Sequence, residues 1–162
     1  MSLHSYSRMW VHLVWGTLRR EGMLTKVAAT KVSRFLTEQA ATKQIYMKIN
    51  FVNSDHVHAL IELPTNLCVE DVVQLLKGSS SHWVNECNLV MGKFGWGRGY
   101  GAFSVSQSNL DEVSNYIAHQ EEHHRKKSYT EELKAFVERY RLQWREETVE
   151  TVSQNGAALS PG

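Results

Sequence analysis

Residues 44–63 read QIYMKINFVNSDHVHALIEL, and the fold turns on that stretch. Ile45, Met47, Ile49 and Phe51 alternate with Tyr46, Lys48 and Asn50, and Val57, Ala59, Ile61 and Leu63 repeat the pattern further on. A period of two marks half-buried strands, because successive side chains leave opposite faces of a pleated chain. Asn53-Ser54-Asp55 is turn chemistry between the two runs, so the stretch predicts an antiparallel hairpin. On its second strand His56 and His58 lie two apart, sharing the face opposite Val57, Ala59 and Ile61.

Upstream, Met9 to Leu18 is rich in Val, Trp and Leu and reads as a strand. Thr25 is placed to cap a helix to about Thr42, with Ala28, Val32, Phe35 and Leu36 on one stripe. Downstream, Val69 to about Glu86 has helical spacing with Gly78 as an interior weak point, and Gly99 to Ser106 reads as a strand. Asn109 with Glu112 forms a capping-box pattern opening a helix whose basic end is Arg125-Lys126-Lys127. A further helix is expected through Glu131 to Arg145. The order predicts an α+β fold, a ferredoxin-like βαββαβ antiparallel sheet with its helices on one side and additional C-terminal helices.

Composition narrows the class. The chain has 162 residues, 42% hydrophobic and 22% charged, which suits one globular domain, expected over 1–147 with a flexible tail over 148–162. Apolar runs are short and broken, so no membrane span is expected, and a polar start through Arg8 does not read as a secretory leader. Cys68 and Cys87 are too few for a disulfide framework, which points to a cytoplasmic protein. The net charge of +1 conceals a basic first third, with eight Lys or Arg against two acids over residues 1–50. Such a bias permits a phosphate-binding face without demanding one.

Three constellations carry chemistry. His56 and His58 present two imidazoles from a stiff strand, the beginning of a divalent-metal site, although such a pair also fits a plain polar strand face. Tyr116 and Gln120, four apart on a helix, would stack on one face. The Gln carbonyl is a hard ligand for Mg or Mn, and the phenol becomes a useful nucleophile where a metal polarises a phosphodiester. Between Gly92 and Gly101 the glycines interleave with Trp96, Arg98 and Tyr100, which suits either backbone approach to phosphate and stacking on bases or a flexible connection. Lys77 and Ser79 in the Lys-Gly-Ser-Ser-Ser run form a weaker phosphate-contact candidate. A rival motif, His119 to His123, fits the H-x-x-E-H pattern of zinc hydrolases, but Glu131 and Glu132 follow too closely to supply its acidic ligand.

Taken in order, WVHLVWGT, FVNSDHVHALIEL, LKGSSS, WGRGYGAFSVS and VSNYIAHQEEHH resemble the single-tyrosine HUH transposases, both insertion-sequence enzymes and REP-associated tyrosine transposases. The resemblance covers about residues 8–145 and implies an enzyme of DNA transposition acting on single-stranded DNA with imperfect hairpins. By that resemblance His56, His58 and Gln120 bind Mg or Mn. Tyr116 attacks a phosphodiester, leaving a 5′-phosphotyrosine link and a free 3′-hydroxyl. Basic residues of the first third, Arg19 and Arg20 among them, join Lys77, Ser79, Trp96, Arg98 and Tyr100 as expected DNA contacts. The resemblance also implies either a homodimer, with Tyr116 supplied in trans as in the insertion-sequence enzymes or in cis, or a monomer as among some REP-associated members. The competing expectation is a non-catalytic module of ferredoxin-like fold that binds single-stranded nucleic acid.

Overall fold

In the computed structural model, which describes residues 4–146, the chain forms β1 (Trp10–Gly16), α1 (Lys26–Thr42), β2 (Tyr46–Val52), β3 (His56–Glu62), α2 (Val69–Glu86), β4 (Gly101–Val105), α3 (Leu110–Ala118), α4 (Gln120–His124) and α5 (Tyr129–Arg139). The tail expected from residue 148 lies outside the described residues. No helix among them is long and apolar enough to cross a membrane.

The sheet has the order β2-β3-β1-β4, every neighbouring pair antiparallel. This is the ferredoxin-like arrangement: β1 and β2 flank β3, and β4 closes the far edge. One face carries Leu13, Trp15, Val57, Ala59 and Ile61 and packs on Ala28, Val32 and Leu36 of α1 and Val72 and Leu76 of α2. Burying each such side chain is worth about 1.5–3 kcal/mol, so this two-helix layer is the main source of stability. Thr25 caps α1 by accepting from the Ala28 N–H at 3.2 Å. At α2 a Cys68–Asp71 capping box does the same, and Gly78 passes through the helix without breaking it.

The helices were expected on one side of the sheet; they cover both. Trp10, Leu60 and Val105 on the second face pack on Leu110 and Ile117 of α3, while Val14 and Phe103 pack on Tyr129 of α5. The additional helices therefore roof over the face on which His56 and His58 stand. A polar pair there is no longer a solvent-facing one.

The hairpin also departs from strict alternation. Met47 pairs with Ile61 and Ile49 with Leu60, so Lys48 is an extra residue at a bulge. A bulge reverses the faces beyond it. Ile45 and Met47 therefore join the α1/α2 core, whereas Ile49 and Phe51 turn to the second face under α3. Asn50, now facing α1, exchanges hydrogen bonds with Ser33 and Thr37.

Two helix expectations are corrected. The Asn109–Glu112 capping box does not form, because the chain enters α3 through a 3-10 turn over Gln107–Asn109 and Asn109 makes no side-chain cap. The long helix expected onward to Lys127 breaks at His119, whose φ and ψ are −103° and 26°. The last helix starts at Tyr129, capped by Ser128 Oγ accepting from the Glu131 N–H at 3.2 Å, and ends at Arg139.

Candidate metal centre and nucleophile

The site is built on β3 and roofed by α3, α4 and α5. His56 and His58 are fully buried with ring centroids 5.1 Å apart, on the same face as the strand period requires. Between them and the roof sits the carboxylate of Glu132. Its Oε1 lies 2.6 Å from His58 Nε2, and its Oε2 lies 3.7 Å from His56 Nε2 and 3.3 Å from His124 Nε2. The Tyr116 hydroxyl donates to Glu132 Oε1 at 2.5 Å, and Gln120 Nε2 donates to the same oxygen at 3.2 Å. Tyr116 and Gln120 thus converge on one atom although a break in the helix separates them.

Each imidazole is held from behind. Asp55 Oδ1 lies 2.6 Å from His56 Nδ1 behind the ring, whereas Asn53 Nδ2 lies 3.2 Å from the site-facing Nε2. His12, on β1, bonds His58 through a 2.8 Å contact between its Nε2 and His58 Nδ1. The Tyr129 ring stacks on His56 at 4.5 Å.

The electrostatics follow from burial set against these partners. Burial alone would raise the Glu132 carboxyl, but the imidazoles of His124, His56 and His58 that face it outweigh that and hold it far below the usual carboxylate range. Burial draws His56 down, yet Asp55 and Glu132 together raise it above its ordinary value. For His58 burial wins and the value falls. His12 drops to about 3, first through burial and next through His58, so it is neutral. The Tyr116 phenol is pushed up by burial and by its hydrogen bond to Glu132. The site is an anionic carboxylate among imidazoles, with its phenol protonated.

One nitrogen each from His56 and His58 and one oxygen from Glu132 lie within 4.8 Å of one another, two histidines and a carboxylate suited to a divalent cation. The fit has a second sign. His58 Nε2 is buried 2.6 Å from Glu132 Oε1, and Glu132 Oε2 lies 3.3 Å from His124 Nε2, so the donor atoms are dehydrated and face one another as ligands of a shared ion would. Gln120, expected as the third ligand, directs its carbonyl to His124 Nε2 at 3.0 Å and its amide to Glu132. Reversing that amide would face its oxygen against the carboxylate, so the orientation is set by the network. A carboxylate oxygen of Glu132 stands with the two imidazoles, and Gln120 adjoins it in the same cluster.

Sequence reasoning weighed Glu132 only as an acid for the rival zinc motif and set it aside, and it gave His12, Asp55 and His124 no place in the site. A signal existed for two of them. Glu132 falls on the apolar stripe of α5 with Tyr129 and Phe136, and His12 sits inside an otherwise apolar strand. A charged or titratable residue on a buried face needs a partner, and the partner is where function collects.

The expected nucleic-acid contacts divide. Arg20, Arg98 and Tyr100 line one groove of about 550 Å³ together with Trp144 and Arg145. Arg19 is exposed beside it, with the left-handed φ of 56°. The other three hold the fold. Lys77 Nζ donates to the carbonyls of Gly97 at 2.7 Å and Gly99 at 2.9 Å, and Ser79 Oγ to Leu75 O at 2.7 Å. Trp96 turns inward against Trp15 and Phe94, its Nε1 donating to Ser80 Oγ at 2.8 Å. A second cleft of about 330 Å³ opens over Tyr116, with Lys126, Lys127 and Arg139 on its walls. In the rival zinc motif, His119 is exposed and bonds Asn115 O, while His123 stacks on Tyr116 at 4.6 Å. Among the His, Cys, Asp and Glu side chains of the described residues, His56, His58 and Glu132 form the group able to hold a metal ion.

Comparison with known proteins agrees with this picture. The sequence pattern of the family described as "Transposase IS200 like" matches residues 5–120. No curated protein matches the chain. A solved structure from Deinococcus radiodurans R1, described as a transposase, is 22% identical with a TM-score of 0.59 over 74% of this chain and 96% of its own. A REP-associated tyrosine transposase bound to a REP hairpin is 12% identical with a TM-score of 0.56 over 76% of this chain and 74% of its own. At those identities the two structures speak to the fold. The family match ends before Glu132, so the carboxylate comes from beyond the matched segment.

Proposed function

The chain belongs to the IS200-like transposase family, and from that premise we propose that it cleaves and rejoins single-stranded DNA beside hairpins through Tyr116, with Mg or Mn as cofactor. The observation that carries this reading is the convergence of the Tyr116 hydroxyl, His56 and His58 on one buried carboxylate within a single chain. His56, His58 and Glu132 would hold the ion, and Gln120 and His124 orient the carboxylate. Once bound, the ion neutralises charge on the phosphoryl oxygens and offsets the carboxylate that keeps the phenol protonated.

The remaining chemistry belongs to the protein. Glu132 Oε1, the acceptor of the Tyr116 hydroxyl, orients the phenol oxygen toward phosphorus, and the phenol proton passes to solvent water as that oxygen attacks. The bond from phosphorus to the 3′-oxygen breaks, the 3′-oxygen leaves as a hydroxyl on taking up a proton from solvent water, and the 5′-phosphate stays on Tyr116. The link is still a phosphodiester, so attack by another 3′-hydroxyl rejoins strands without ATP. Lys126, Lys127 and Arg139 provide positive charge beside Tyr116, and Arg20, Arg98 and Tyr100 extend the path for a strand. Arg19 adds charge at its rim, while Lys77 and Trp96 support the loop that carries Arg98 and Tyr100, and Ser79 bonds within its own helix. The approach of Tyr116 to Glu132 and the two imidazoles within one chain supports the arrangement in cis over one in trans.

The test is incubation of the chain with end-labelled single-stranded DNA containing an imperfect hairpin and Mn. A covalent protein–DNA band that disappears with chelator is expected. Strand cleavage without such a band, across a panel of hairpins, would exclude the tyrosine route.

A further inference from the structure

We propose that His12 is a positioning residue for His58, switching its tautomer so that Nε2 offers a lone pair when a divalent cation enters. The inference rests on the metal reading above and extends it to a residue outside the ligand set. His12 lies on β1 next to β3, where Val14 pairs with His58 and His12 with Leu60, so the two imidazoles meet diagonally on one face. His12 is 1% exposed, and the rings of Phe136, Phe103 and Tyr116 surround it with centroids 5.1, 6.4 and 6.4 Å away. It cannot swing away.

The two metal-site histidines are supported in different ways. Asp55 can only accept, so His56 carries its proton on Nδ1 and keeps a lone pair on Nε2, where the Asn53 amide donates. His58 is bonded instead to another imidazole, and a 2.8 Å contact between two nitrogens needs one proton between them. If His12 donates, His58 Nε2 bears the hydrogen and faces Glu132 Oε1, an arrangement suited to the metal-free site. If His58 donates, its Nε2 proton has left to solvent and His12 has taken one up on Nδ1, so both rings stay neutral. The bare Nε2 then opposes a carboxylate lone pair at 2.6 Å, which is tolerable only with a cation between or beside them. An imidazole partner serves both arrangements, whereas a carbonyl or carboxylate would serve only the second. Partners of this kind fix ligand tautomer and basicity, and their loss commonly costs 10–100-fold in metal affinity.

The experiment has two arms. Nitrogen-15 NMR of imidazole-labelled full-length chain should show His58 protonated on Nε2 without metal and on Nδ1 with saturating Mg. An unchanged tautomer overturns the proposal. Calorimetric titration with Mn should show roughly 10–100-fold weaker binding in His12→Phe, which keeps a ring but no hydrogen bond, and near wild-type binding in His12→Gln, which can donate or accept. Wild-type affinity in His12→Phe, or equal loss in both variants, also overturns it. Should His12→Phe fail to fold, the NMR arm decides. Absence of Mn binding by the wild type would sink the metal reading itself, a result separable from either failure above.

Discussion

Tyr116 and Glu132 lie sixteen residues apart in the chain, on helices of different packing, yet the phenol donates to Glu132 Oε1 at 2.5 Å. The same oxygen stands 2.6 Å from His58 Nε2. A single carboxylate oxygen therefore joins the group proposed to attack with a group proposed to hold the ion. This makes α5 part of the working site, and it sets what should happen when either end of the contact is altered.

Tyr116→Phe should abolish the covalent DNA band while leaving Mn affinity within about threefold, because the ring stays and only the hydroxyl is lost. The hydrogen bond it surrenders is worth about 1–2 kcal/mol, so the fold should persist. Gel analysis of the adduct beside calorimetry checks both halves; a retained adduct would move the nucleophile elsewhere.

Glu132→Gln keeps the shape of the side chain and an acceptor for Tyr116 but removes the charge. Mn affinity should fall by more than roughly tenfold, since ligand charge is a main determinant of binding to hard cations. The Tyr116 phenol should also ionise at lower pH, as the carboxylate that opposes phenolate is gone. A phenolate difference spectrum between Glu132→Gln and the Glu132→Gln, Tyr116→Phe double variant isolates that phenol. Unaltered Mn binding would remove Glu132 from the ligand set.

The metal-free protein should lose stability on acidification below about pH 6.5. His12, lowered to about 3 from 6.5, stays neutral in the fold while the unfolded chain takes up a proton, so stability drops as pH falls through that window. His58 is lowered and acts in the same sense, and Glu132 adds stability above its ordinary value of 4.5 that is lost as pH falls through its depressed one. His56 is raised and works the other way, its contribution present below 6.5 and lost as pH rises through its folded value. Each fully titrating group contributes at most about 1.4 kcal/mol per pH unit. Denaturant midpoints measured in chelator from about pH 4 to pH 8 should rise toward neutrality; a flat profile on the acid side would contradict the buried neutral imidazoles.

Gly16→Ala should disturb the site from the sheet side. A Cβ at Gly16 would lie 2.7 Å from Cε1 of Tyr129, the ring that stacks on His56 and opens α5. Relief means moving Tyr129, and Glu132 three residues further on. Overpacking of this kind costs about 1–3 kcal/mol and should weaken Mn binding. Gly22→Ala, whose nearest atom would be Ser54 Oγ at 3.4 Å, serves as the control. Equal Mn affinity in both variants would detach Tyr129 from the site.

What could be read in the residues was whatever repeats locally. The alternation on either side of Asn53-Ser54-Asp55 identified the hairpin, and Thr25 the start of α1. The placement of His56 and His58 on one face needs only the pleat. Local reading erred at Lys48, where a bulge turns Ile49 and Phe51 over, and at His119, where the helix breaks. Both departures answer packing against the second face, which no short window of sequence displays.

The chain by itself determined the succession of strands and helices along it, the paired imidazoles and the family, because periodicity, turn chemistry and ordered motifs are short-range properties. Only the tertiary structure decided that α3 to α5 cover the imidazoles, that the oxygen beside them comes from Glu132, and that His12 stands behind His58. Those contacts join residues 46 to 76 positions apart, 58 to 132 and 12 to 58 among them. Their cause is a buried carboxylate and buried imidazoles that must find partners once water is excluded. Such a need arises only when distant segments are packed together.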